Sequence, residues 1–88
     1  MTEFKIVKDK NLIPNLKEAQ AFVNGWVQSL KLPNGDVMLF NEEGAIREFP
    51  VNPEASQYIE NLYTHGYPVI IFGNAILLPK SLNTRRFR

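Results

Sequence analysis

Short apolar stretches separated by polar punctuation run the length of the chain, and the spacing within each predicts its conformation. Residues 3–8 (EFKIVK) alternate with a period of two, which predicts a first strand with Phe4 and Ile6 on one face. Leu16, Ala19, Phe22 and Val23 recur at helical spacing. Asn15 followed three residues later by Glu18 supplies a capping-box pattern, so a short helix is expected over 16–23, closed by Asn24-Gly25. Alternation resumes over 26–32 and runs into Pro33-Asn34-Gly35-Asp36, a hairpin turn in which Asn-Gly is expected to take positive φ at both central positions. The chain then returns as a strand over 36–40. Asn41-Glu42-Glu43-Gly44 reads as a second turn with Gly44 at positive φ, followed by a third strand over 45–49. Val37 and Leu39 point one way and Met38 and Phe40 the other. Apolar residues on both sides imply a sheet covered on both faces, by helices on one and by another sheet or a second subunit on the other.

Asn52 is a good N-cap, Pro53 suits the first helical position, and Glu54 complements the positive end of the helix dipole. Ala55, Tyr58, Ile59, Leu62 and Tyr63 then share a stripe, and His65-Gly66 close this second helix. Pro68 opens VIIF, Gly73-Asn74 turns, and AILLP returns, which predicts an apolar hairpin over 69–78 in a core or an interface. The resulting order is β-α-β-β-β-α-β-β: a small single α+β domain with a mostly antiparallel sheet and two helices.

Composition narrows the chemistry. With 88 residues, 44% of them hydrophobic, the chain can build one small core and no more. It has no cysteine, which excludes disulfides, thiolate metal sites and a cysteine nucleophile, and fits a reducing, cytoplasmic setting. His65 is the single histidine, so with no cysteine neither a structural zinc site nor a standard Ser-His triad is expected without borrowed ligands, and His65 is expected to serve the end of the second helix. Serines stand only at 29, 56 and 81, none in a Gly-x-Ser-x-Gly elbow, and no phosphate-cradling glycine loop occurs. Glu42 and Glu43 are turn residues that point apart into solvent. No catalytic residue, metal or cofactor is implied, and no apolar run is long enough to span a membrane.

Charge divides the chain. Residues 1–79 carry six basic side chains against nine acids, whereas 80–88 carry Lys80, Arg85, Arg86 and Arg88 with no acid. The body is therefore expected as a globular domain over 1–79, with a basic, flexible tail over 80–88. That tail could touch phosphate, with Phe87 adding stacking, which would give weak, salt-dependent nucleic-acid binding through the tail alone. Aromatic residues are scattered over four elements. Trp26, Tyr58, Tyr63 and Tyr67 are nevertheless those expected to line a ligand groove, together with Arg47.

The series Val23-Asn24-Gly25-Trp26-Val27, Asn41-Glu42-Glu43-Gly44, Phe49-Pro50-Val51-Asn52 and Ile71-Phe72-Gly73-Asn74-Ala75 resembles a family of small domains encoded by phages and mobile elements, domain of unknown function 3846. The resemblance covers about 23–79. The chain departs from it at Asn24, where the family often has a second glycine, and in the basic extension after Pro79. It implies an origin, with the host cytoplasm as location, and no catalytic residues. The leading expectation is a non-enzymatic accessory protein that binds a host or phage protein, in host takeover or counter-defence, and self-associates as a dimer. An alternative is sequestration of a nucleotide-like signal in a groove between protomers.

Overall fold

A computed structural model describes residues 2–63 and 69–82. The strands are β1 (Phe4–Ile6), β2 (Val27–Lys31), β3 (Val37–Asn41) and β4 (Ala75–Leu78), and the helices are α1 (Leu16–Val23) and α2 (Pro53–Glu60), with 3-10 turns at Lys10–Leu12 and Lys80–Leu82. The fold is α+β. One mixed sheet has the order β1-β4-β3-β2, with β2, β3 and β4 antiparallel and β1 parallel to β4.

Local signals place most of this. The Asn15 side chain accepts from the Glu18 N–H and the Glu18 carboxylate accepts from the Asn15 N–H, so the capping box is closed from both ends. At the other end of α1 the left-handed residue is Asn24 (φ 64°, ψ 42°), while Gly25 follows it. The β2–β3 hairpin differs from expectation in its turn. Asn34 does not take positive φ and only Gly35 does (φ 92°), with its N–H bonded to the Leu32 carbonyl and Leu32 paired to Asp36. This is a three-residue loop closed by a left-handed glycine.

Two expected strands do not form, for one reason. β3 has β2 on one side and β4 on the other, so 45–49 cannot pair beside it as a third strand of the meander. Likewise β4 lies between β1 and β3, so the hairpin over 69–78 cannot close, and Phe72 makes only an isolated bridge to Val51. Residues 43–47 coil instead into a helical turn: Arg47 N–H bonds to the Glu43 carbonyl, Glu48 N–H to Ala45 and Phe49 N–H to Gly44. The last two bonds are the Schellman pair, and they put Glu48 in the left-handed region (φ 58°). Glu48→Gly is therefore expected to raise stability by about 0.5–1 kcal/mol, measured by urea unfolding. Gly44 is needed for a reason other than positive φ: a Cβ there would lie 2.8 Å from the Phe72 carbonyl oxygen. The α2 helix also stops short of His65-Gly66. It ends at Glu60, and Leu62 and Tyr63 continue with tighter i→i+3 bonds.

Both faces of the sheet are covered by the chain itself. Ala55 and Ile59 of α2 pack with Met38, Ala75, Leu77, Leu32 and Ile71 on one face. Ala19 of α1 packs with Val7, Val37, Leu39, Ile76 and Leu78 on the other, with Leu82 against the same cluster. The expected covering of one face by another sheet or subunit is thus replaced by one helix per face. The apolar 69–78 segment, expected in a core or an interface, lies largely in this core. No helix among the described residues is long and apolar enough to cross a membrane.

Candidate functional site

The β2–β3 hairpin separates two clusters of polar and aromatic side chains, one at each end. At the end where β2 begins and β3 finishes, asparagines tie the elements together. Asn41 donates to the carbonyls of Val23 (2.9 Å) and Asn24 (3.2 Å) and accepts from the Glu43 N–H (2.7 Å). Asn74 donates to the Phe22 carbonyl and accepts from the Glu3 N–H, both at 2.9 Å. Asn52 caps α2 by accepting from the Ala55 N–H and donates to the carbonyls of Glu3 and Gly73. These three side chains thus bind backbone groups where helix meets strand.

Above this frame lies the exposed chemistry. Arg47 donates from Nη1 to the Asn24 carbonyl at 3.0 Å, and its guanidinium carbon sits 5.0 Å from the centroid of the Phe49 ring. Trp26 follows Gly25 directly and is 68% exposed, while Ile46 on the neighbouring turn is 82% exposed. A shallow recess is lined by Gln20, Gly25 and Trp26. Of the expected groove residues, the fold places Trp26 and Arg47 at this end.

Tyr58 and Lys80 belong to the opposite end. Asp36, almost fully buried at the hairpin tip, accepts from the Tyr58 hydroxyl at 2.5 Å, the Asn34 amide at 2.9 Å and the Lys80 N–H at 2.8 Å. Burial alone would push the Asp36 carboxyl up, but the bonds from Tyr58, Lys80 and Asn34 outweigh it and hold the carboxyl below its ordinary value. The Tyr58 phenol is raised, first by donating to Asp36 and then by burial. Both shifts lead away from neutrality, the reverse of what a proton-transfer pair requires. Tyr63 is exposed just beyond α2, and Glu42 and Glu43 are exposed in the turn after β3. Tyr67, Arg85, Arg86 and Arg88, with His65 and Phe87, lie outside the described residues. Lys80 joins the body through its backbone, so any tail would start after Leu82.

Among the described residues no buried side-chain nitrogen or oxygen lacks a partner, and no group of three His, Cys, Asp or Glu is placed to hold a metal ion. The asparagines and Asp36 are consumed by the fold. Exposed at this end of the sheet are Trp26 and Ile46, beside the stacked Arg47–Phe49 pair. Phe49 escaped notice in the sequence as a partner for Arg47, although a basic and an aromatic residue two apart beside a glycine-bearing turn is a usable signal.

A family model described as domain of unknown function (DUF3846) matches residues 2–87. The chain belongs to this family. No curated protein and no solved structure matches it. Within the matched range, Asn41, Asn52 and Asn74 are interelement ties, Gly44 permits close approach to Phe72, and Asn24 takes a left-handed cap.

Proposed function

We propose that this DUF3846 domain is a binding module that acts on a protein partner through the Trp26 end of its sheet and performs no catalysis. The observation that supports this reading most is the tryptophan itself: a large ring left 68% exposed on a frame made rigid by three asparagine ties. Tryptophan and arginine are the residue types most enriched where binding energy concentrates, and a rigid support lowers the ordering cost of association. Ile46 and the Arg47 side chain extend the patch with apolar area and a positive charge. A chain of phage or mobile-element origin would meet its partner among host or phage proteins, which is how a host-takeover or counter-defence role would be exercised.

Affinity capture with the intact chain and with Trp26→Ala, followed by mass spectrometry, tests the reading. At unchanged thermal stability, Trp26→Ala is expected to reduce capture of the specific partner by at least about 30-fold, corresponding to about 2 kcal/mol. A partner retained equally by both proteins would remove the Trp26 surface from its recognition. Sequestration of a nucleotide-like signal is less well supported, since of its expected groove residues Trp26 and Arg47 lie at one end of the hairpin and Tyr58 at the other.

A further inference from the structure

The parallel register of β1 on β4 fixes which backbone groups point where. The Glu3 carbonyl accepts from Ala75 and the Val7 N–H donates to Leu77, and Lys5 pairs with Ile76 between them. Residues 3, 5 and 7 therefore turn their backbone groups towards β4. Phe4 and Ile6 turn theirs to the open side, where they meet no partner among the described residues. A recess flanks this edge on each face of the sheet. On the α2 side, about 550 Å³ is bounded by Phe4, Ile6, Glu54, Gln57, Tyr58 and Asn61. On the α1 side, about 310 Å³ is bounded by Lys5, Leu12, Ile13, Pro14, Phe22 and Ile76, with Asn11 and Glu18 at its rim. Ile6 is left 43% exposed on the α2 side.

An open strand edge between two recesses has the form of a vacant strand position. We propose that β1 accepts an extended peptide as a fifth strand. Its backbone would bond the outward groups of Phe4 and Ile6, and its side chains would enter the two recesses alternately. The α1-side recess, floored by Phe22 and Ile76, takes an apolar side chain. The α2-side recess is apolar along Phe4 and Ile6, and its charged group is the Glu54 carboxylate. It therefore selects a long basic side chain whose stem lies on the apolar wall and whose charge meets Glu54. A second copy of the chain fits this edge less well, because pairing β1 with β1 would set the flanking layers of one copy, α2 and residues 11–14, against those of the other. A single extended peptide has no such layers. This surface is separate from the Trp26 patch and does not depend on it.

The test pans the full chain against a phage-displayed library of random heptapeptides and measures the enriched sequences by calorimetry as synthetic peptides. The expected consensus alternates an apolar residue with Lys or Arg. Methylating peptide amides one at a time should weaken binding about tenfold or more at the positions facing β1 and leave it within about twofold at the alternate ones. In the protein, Ile6→Pro removes an outward N–H while leaving the β4 ladder intact. It should abolish peptide binding with the circular dichroism spectrum retained; Glu54→Gln should weaken peptides carrying Lys or Arg, and Trp26→Ala should leave them unchanged. The proposal is overturned if no peptide is enriched, if methylation at either set of positions has the same effect, or if a dimer sensitive to Ile6→Pro already fills the edge. Should Ile6→Pro fail to fold, the methylation series decides the question with the native protein.

Discussion

Asn52→Ala is expected to destabilise the domain by about 3–4 kcal/mol, lowering Tm by roughly 20 °C, which makes it among the most damaging single side-chain deletions in the molecule. Asn52 is only 1% exposed, and all of its polar atoms are engaged: the oxygen takes the Ala55 N–H at 3.1 Å, and the amide nitrogen reaches the carbonyls of Glu3 and Gly73 at 2.9 Å each. Alanine would leave the Ala55 N–H at the start of α2 and the buried Gly73 carbonyl without partners, and would take one of its two donors from the Glu3 carbonyl, which keeps the Ala75 N–H. Asn52→Asp separates the two parts of this loss. Aspartate is an equally good N-cap and is favoured by the helix dipole, yet it has no donor and would set a negative charge against two carbonyl oxygens. If capping were the whole contribution, Asn52→Asp would unfold at the wild-type urea concentration. The geometry instead predicts that it is at least as destabilised as Asn52→Ala.

The same residue shows what could and could not be read from the sequence. Pro50-Val51-Asn52-Pro53 marks a helix start, because the cap bond from Ala55 is local and depends only on spacing. The bonds to Glu3 and Gly73 span 49 and 21 positions and leave no local trace. The first helix is legible to the residue, since its capping box and apolar stripe are both contained within nine positions. The strand count is not, because whether 45–49 or 69–72 can join a sheet depends on which edges are already filled. The decisive event is β1 entering beside β4, a pairing of residues 71 apart. Strong apolar character therefore read as strand at 69–72, where the chain places Ile71 in the core with a single bridge at Phe72. Of the candidate site, Trp26 and Arg47 come together because two turns meet at one end of the sheet. Tyr58 is drawn elsewhere by Asp36, a residue whose Asn-Gly-Asp context suggests nothing beyond a turn.

Asp36 should also set how stability responds to pH. Its folded-state carboxyl titrates below the ordinary value, so the stability it contributes is complete above the unfolded-state value near 3.8 and is lost as pH falls through the lower folded value. Tyr58 acts at the other end of the scale. Its phenol titrates above the ordinary 10.0, so its contribution is complete below 10.0 and is lost as pH rises through the folded value. From this pair, unfolding free energy is expected to be flat between these limits and to fall on both sides. Asp36→Asn removes the acid-side dependence of this group and sets an amide donor among three donors, costing about 2–4 kcal/mol at neutral pH. Tyr58→Phe leaves Asp36 with the Lys80 and Asn34 donors and should cost less, about 1–2 kcal/mol, and because the Asp36 carboxyl then moves back up towards its unfolded value, the acid-side loss of stability should become smaller. Because the two side chains share one bond at 2.5 Å, the double variant should be less destabilised than the sum of the singles. Additive losses across urea unfolding curves at pH 3, 7 and 10 would show that the phenol and the carboxylate are stabilised independently, and that the link between α2 and the hairpin tip lies in apolar packing.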